Sequence, residues 1–432
     1  MTRLSRKHIV LKYGKHFIDL PITPPLHSPT VLNPSSLKTI VKVEEYINKA
    51  IDVPIQSKPF NDTFRKHSRV LILLSDSTRY TASELYLPII IDRLNQNGIV
   101  DKNITILCAL GIHRKQTAQE HKKILGANLH KRFEVADHDA FDNDTIVALG
   151  TTRRGTPIEV NHLLAKTDHI ILTGGIRFHY YAGFGGGRKS ILPGVSSFNA
   201  CVSNHLLALN PQGQGGRHPL AHTGILKGNP VHEDMAEVCD HFRSLFLFNT
   251  ILSPQRELLK VVAGDVHAAF TQGCRFLKDN FSIPITEKAD LVIASCGGHP
   301  WDINFIQAHK TMESAANALK EGGVMILLAE CSQGFGNPRF LKWFNNESAE
   351  SFERNLRTHY EINGQTAYAT FLKAKKHHIV LLSSLKELEV EKMSLVPVPT
   401  IEEALEKAYN LLGSSPLTYI IPDGSSVLPS MV

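Results

Sequence analysis

Short apolar runs alternate along the chain with stretches of helical periodicity, the pattern of an α/β protein. Val70-Leu71-Ile72-Leu73-Leu74 is a continuous apolar run and predicts a buried strand. It breaks at Ser75-Asp76-Ser77-Thr78-Arg79, after which Thr81 with Glu84 predicts a capped helix start. A second strand is predicted over Ile104 to Leu110, then a loop Gly111-Ile112-His113-Arg114 and a second capping box, Thr117 with Glu120. Two polar loops therefore follow two strands at one edge of a sheet, the edge at which α/β proteins build sites. Composition shifts near Ile283-Pro284-Ile285-Thr286. Beyond it the pattern predicts a strand from Ala289 to Ser295, a helix from Asn304 to Lys320 and a strand from Val324 to Ala329, one βαβ unit. Thr400 with Glu403 opens a late helix, and Tyr419-Ile420-Ile421-Pro422 reads as a last strand or an extended return.

At 432 residues the chain exceeds what one core supports, so two α/β domains are expected. The boundaries are 1–280 and 281–405, with a tail over 406–432 for which a return to the N-terminal domain is one option. The 47 basic and 41 acidic residues give +6, dispersed along the chain. That balance favours acidic small molecules and gives no argument for a nucleic-acid partner. The six cysteines lie far apart with no CxxC pair, which reads as reduced thiols in a cytosolic enzyme. No run approaches the ~20 apolar residues of a membrane span, and the basic N-terminus has no signal-peptide core. A soluble, cytoplasmic protein is expected. Its oligomeric state is not legible.

The densest chemical signal runs from Gly174 to Gly194. Ile170-Ile171-Leu172 leads into a loop with His179, three consecutive glycines (Gly185, Gly186, Gly187), then Arg188 and Lys189; His205 follows. Glycine permits close backbone approach, so the loop is expected to offer backbone N–H groups and the Arg188 cation to a phosphate-bearing cofactor. It matches neither the nucleotide-kinase loop, because Arg188 separates Gly187 from Lys189, nor the dinucleotide fingerprint. Asp137-His138-Asp139 with Asp142 and Asp144 reads as a loop rather than a metal cluster. His218 and His222 have helical spacing, but Pro219 between them argues against a zincin-like helix.

Taken in order, Asp76-x-Thr78-Arg79, Gly111-x-His113-Arg114, His179-Tyr180…Gly186-Gly187-Arg188-Lys189…Pro193-Gly194, Asn204-His205, Gly228-Asn229-Pro230-Val231-His232-Glu233-Asp234 and Gly298-x-Pro300-x-Asp302-x-Asn304…Gln307-x-x-Lys310 resemble the nickel-dependent lactate racemase family. The resemblance implies a racemase or epimerase of 2-hydroxy acids, with the N-terminal domain holding cofactor and catalytic groups and the site in the interdomain cleft. The implied cofactor is nickel in a pyridinium-3,5-bisthiocarboxylic acid mononucleotide, the nickel-pincer nucleotide, tethered to Lys189 and completed by His205. Soft sulfur plus imidazole in a square plane suits Ni(II). In this reading the α-hydrogen moves reversibly as hydride through a 2-keto acid, and His113 and His179 exchange the hydroxyl proton on the two faces of the substrate. Arg79, Gln307 and Lys310 match substrate-binding positions. Asp76, Gly186, Gly187 and Arg188 match the cofactor surround. Maturation enzymes that make the cofactor are the implied partners, and a non-catalytic cofactor carrier or another 2-hydroxy acid enzyme on this scaffold is the alternative. Gly185 stands where typical members carry serine. Ile306 stands where the lactate enzyme carries an aromatic, with Trp301 adding bulk in the same loop.

Overall fold

The computed structural model describes residues 8–22, 26, 28–34, 37–346 and 348–432. The chain divides into two compact units: 36–209 with 218–279, and 1–35 with 210–217 and 280–432.

The first unit is built on a six-stranded sheet. In chain order its strands are β1 (Val70–Ser75), β2 (Ile104–Ala109), β3 (Val135–Asp137), β4 (His169–Gly175), β5 (Leu245–Leu252) and β6 (Leu258–Gly264). The order across the sheet is β6-β5-β4-β1-β2-β3, with every pairing parallel except β5 with β6. Continuous apolar runs suit this position, because a parallel sheet is covered on both faces. Val70, Leu71, Ile72 and Leu73 are fully buried. The winding reverses between β1 and β4, so a crevice opens outside their carboxyl ends.

The helix after β2, Ala118–Leu125, starts with the predicted box: the Thr117 side chain accepts from the Glu120 N–H and Glu120 reaches back to Thr117 N. The predicted box at Thr81 does not form. The helix there spans Ser83–Gln96 behind Ala82, which is left-handed at φ 58°. Tertiary partners take both residues: Thr81 Oγ1 bonds the Tyr86 hydroxyl and its carbonyl accepts from Thr250 Oγ1, while Glu84 accepts from the Tyr80 hydroxyl. Residues 218–222 form turns, not a helix. His138 is buried and bonded to the Ser196 carbonyl and Asn161, and Asp139 and Asp142 each accept a local backbone N–H, as turn residues do.

The second unit holds an all-parallel sheet in the order Val396–Val398, His378–Leu382, Leu319–Leu328, Ala289–Ser295, Thr418–Ile421, Thr30–Val31. Two expectations are corrected here. The tail does not return to the N-terminal domain: Thr418–Ile421 is buried along its whole length and fills an interior position of this sheet. Residues 1–35 and 210–217 also belong with this unit rather than with the first. The helix expected to reach Lys320 ends at Ala315, because Leu319 already pairs with Ala289 in the sheet. Thr400 caps the late helix Ile401–Leu412 by accepting from the Glu403 N–H. No described helix is long and apolar enough to cross a membrane.

The excursion 210–217 is fixed in the second unit by charge. Arg217 Nη1 lies 2.9 Å and Lys373 Nζ 2.7 Å from Oε1 of buried Glu313, with His309 Nε2 3.4 Å from the same atom. Burial alone would raise the Glu313 pKa, but Arg217 and Lys373 reverse this and hold it well below the usual carboxylate range. A depressed folded pKa means the stabilisation is full above the unfolded value of about 4.3 and is lost as pH falls below it. Glu313→Gln is expected to lower unfolding stability at neutral pH by about 3–5 kcal/mol, the cost of stranding buried partners. Urea titrations should show the gap between variant and wild type closing as pH drops below about 4.

Candidate active site

Three loops at the carboxyl ends of β1, β2 and β4 bring the predicted groups of the first unit together. Asp76 is the first residue after β1 and is 2% exposed. Its Oδ1 accepts from the Thr78 backbone N–H at 2.8 Å and from the Thr78 hydroxyl. Its Oδ2 accepts from Arg79 Nε at 3.2 Å and lies 3.2 Å from His113 Nδ1. Burial opposes ionisation, yet the bonds from His113, Arg79 and Thr78 hold the carboxyl well below the ordinary range. An ionised carboxylate only accepts. His113 Nδ1 therefore carries a proton directed at Asp76.

His179 has the opposite arrangement. Its Nδ1 accepts from the Ala182 N–H at 3.3 Å, which places the proton of the neutral ring on Nε2. Burial, then Lys189 and Arg79, push its pKa well down, so it stays neutral. Tyr181 is the hub of this corner. Its ring centre is 4.5 Å from His179, 5.3 Å from His205 and 5.7 Å from Lys189 Nζ. His205, near the end of the helix Phe198–Leu206, is pushed down to about 3 by burial and by Lys189, Arg79 and His113. Lys189 is driven well below its usual value by burial, with Arg188 and Arg79 adding repulsion. Burial thus disfavours the charged form of Lys189, His179 and His205 alike. Arg79 supplies positive charge to all three groups, and Arg188 adds to it at His179 and Lys189.

The glycine loop differs from its expected role. Gly185 N–H donates to the Arg177 carbonyl and Gly187 N–H to Asn249 Oδ1, both at 2.7 Å, so these donors serve the loop rather than a phosphate. Arg188 is equally committed. Its Nη1 donates to the carbonyls of Phe184 (2.9 Å) and Gly186 (3.2 Å), its Nη2 to Ala182 (2.7 Å), and the guanidinium lies 4.3 Å from the Phe270 ring centre. Burial lowers its pKa to about 10, which leaves it charged. The cation pins three loop carbonyls and so fixes the turn Gly187–Ser190 that carries Lys189. Gly186 and Gly187 are required by crowding and by left-handed backbone (φ 79° and 57°). A Cβ on Gly186 would meet Asn249 Oδ1 at 2.6 Å, and one on Gly187 the Phe270 ring at 2.6 Å.

Gln307 and Lys310 belong to the second unit, on the helix Phe305–Ala315, where Lys310 Nζ donates to Gln307 Oε1 at 2.6 Å. Asn304 caps that helix through the Gln307 N–H. Sequence reasoning missed Asn249, Arg177 and Tyr181. Asn249 left a signal, a lone amide inside the apolar strand Leu245–Leu252. Arg177 donates to the Tyr80 carbonyl at 2.9 Å, a contact no local pattern announces.

The loop geometry separates neighbouring glycines. Around Gly185 a Cβ meets nothing closer than 3.4 Å, so Gly185→Ser is expected to change stability by less than about 1 kcal/mol. Gly186→Ala is expected to cost at least about 1–2 kcal/mol, from the left-handed backbone alone. Thermal unfolding of the two variants compared with the parent chain measures the difference.

A family model for the lactate racemase N-terminal domain matches residues 13–216, and one for the lactate racemase C-terminal domain matches residues 285–429. The chain is 30% identical over 399 residues to the lactate racemase of Thermoanaerobacterium thermosaccharolyticum, covering 91% of this chain and 92% of that protein. It is 32% identical over 391 residues to that of Lactiplantibacillus plantarum, covering 89% and 90%. The solved lactate racemase apoprotein from T. thermosaccharolyticum superposes with a TM-score of 0.89 at 28% identity, covering 98% of this chain and all of that one. A Thermotoga maritima protein shares the fold alone, with a TM-score of 0.65 at 18% identity. With both domain models matched in order along the chain, the protein belongs to the lactate racemase family.

Proposed function

We propose that the protein racemises a short 2-hydroxy acid, lactate or a near analogue, in the cytoplasm. One observation carries this reading: two imidazoles of one site are held by different contacts, His113 Nδ1 lying 3.2 Å from Asp76 Oδ2 and His179 Nδ1 accepting from the Ala182 N–H. A racemase must remove the hydroxyl proton of either enantiomer and later return it, which calls for a proton-exchanging group on each face of the substrate. His113, fixed through Nδ1 to Asp76, is placed to exchange the proton through Nε2 on one face of the substrate, and His179 serves the other face in this reading.

The residues also fit the nickel-pincer nucleotide that the family resemblance implies. Covalent attachment needs a neutral amine, and burial shifts Lys189 toward that form. Metal ligation needs a neutral imidazole, and His205 is one. When bound, the group supplies an electron-poor acceptor for the α-hydrogen as hydride. The chain's own residues do the rest. Arg79 and Arg177 attract the substrate carboxylate. Asp76 fixes the His113 tautomer and stabilises the imidazolium formed when Nε2 takes the hydroxyl proton. The inward commitment of Arg188 keeps Lys189 in one position. Gln307 and Lys310, bonded to each other on their own helix, are substrate-binding positions in this reading, and the cofactor reaches the chain from maturation enzymes.

Protein co-expressed with the cofactor-synthesis enzymes is expected to convert either pure enantiomer of lactate into the racemate, followed by chiral chromatography; a loaded enzyme inert toward lactate and other 2-hydroxy acids would sink the proposal. Lys189→Ala should show no covalent adduct by intact-mass spectrometry. His113→Ala and His179→Ala should each lower kcat by about 10²–10⁴ while nickel per chain stays unchanged. Loss of nickel from either variant would make that histidine a ligand instead.

A further inference from the structure

A second cluster of donor groups lies in the first unit and contains neither Lys189 nor His205. Cys108 on β2 and Asp137 on β3 are register partners in adjacent parallel strands. His121 comes from the helix Ala118–Leu125. The ligand atoms of these three residues all lie within 4.8 Å of one another, and among the described residues no other group of histidine, cysteine and carboxylate side chains converges so closely. Cys108 is fully buried, and the His121 and Asp137 side chains are 16% and 9% exposed.

The arrangement has the attributes of a built cation site. Sulfur, nitrogen and oxygen donors come from two strands and a capped helix, all rigid elements. Asp137 Oδ1 is 2.9 Å from His121 Nε2, and its Oδ2 is taken by the Gln116 backbone N–H at 2.7 Å, which orients the carboxylate for one-oxygen ligation. Three protein donors of mixed softness, sulfur, nitrogen and oxygen, suit a cation of the zinc class. We propose that Cys108, His121 and Asp137 bind a divalent cation of the zinc class, the thiol losing its proton to water as the metal–sulfur bond forms. No oxidant or reductant is involved.

The site connects to the acid–base loop. Gln116 Oε1 accepts the Ser77 N–H at 3.0 Å, and the Ser77 hydroxyl donates to Glu120 at 3.1 Å. A cation tying β2, β3 and the Ala118–Leu125 helix together therefore braces the turn that presents Asp76 and Arg79. The inference is independent of the proposed racemisation, since its ligands take no part in that chemistry.

The test uses the full chain expressed without the cofactor-synthesis enzymes and titrated anaerobically with Co(II). One equivalent is expected to bind with a thiolate-to-cobalt charge-transfer band in the near ultraviolet, and zinc should displace it. Cys108→Ser should abolish the band and weaken binding at least about tenfold, while a Lys189→Ala/His205→Ala double variant retains it. Matching circular dichroism of metal-free Cys108→Ser checks its fold, and His121→Gln, expected to lose the tight equivalent, serves if the serine variant does not fold. Absence of the band in the parent chain, or its persistence in Cys108→Ser, would overturn the proposal and leave a thiol–carboxylate–imidazole hydrogen-bonded cluster.

Discussion

Asp76 takes donors from Thr78, Arg79 and His113 on two buried oxygens at the end of β1, and the charge distribution of the site is organised around it. A buried carboxylate without those donors would protonate, and the proton on His113 would then be free to occupy either ring nitrogen. Its position follows from the topology. The winding reverses between β1 and β4, so the loop after β1 lies beside the loop that carries His179 and Lys189. The loop after β2 brings His113 from the other side. In this way the sheet order determines which side chains can share one proton network.

A different economy governs the glycine loop. Its backbone donors at Gly185 and Gly187 and its arginine are bonded within the fold, while Lys189 lies beside the Tyr181 ring that also meets His179 and His205. Arg188 is more useful buried than exposed, because a guanidinium has five donors in a rigid fork and can hold several carbonyls at once. Burial then acts twice on the same turn. It lowers the pKa of both cations, only to about 10 for Arg188, whose guanidinium donates to three carbonyls, and well below the usual value for Lys189.

Much of this was legible in the sequence. The apolar runs at 70–74 and 170–172 located β1 and β4, and the Thr117 box located a helix start, because both signals rest on local physics. The failures share a cause. Thr81 and Glu84 carry the letters of a capping box, but Thr250 and Tyr80 compete for the same atoms. Arg188 beside glycines reads as a phosphate cation until Phe270, more than eighty residues away in sequence, covers it. The tail from Tyr419 showed its strand character but not its sheet, since an apolar run states that it is buried and not against what.

The strand Thr30–Val31 pairs with Thr418–Ile421. The second unit therefore holds residues from near both ends of the chain, and 210–217 from the middle. On a ribosome, where synthesis runs from the N-terminus, the early segment emerges long before the strand it lies against. The first unit is complete in sequence by residue 279, so it is free to fold while the other still waits. The order of synthesis therefore gives the half that carries His113, His179 and Lys189 a head start over the half that carries Gln307 and Lys310.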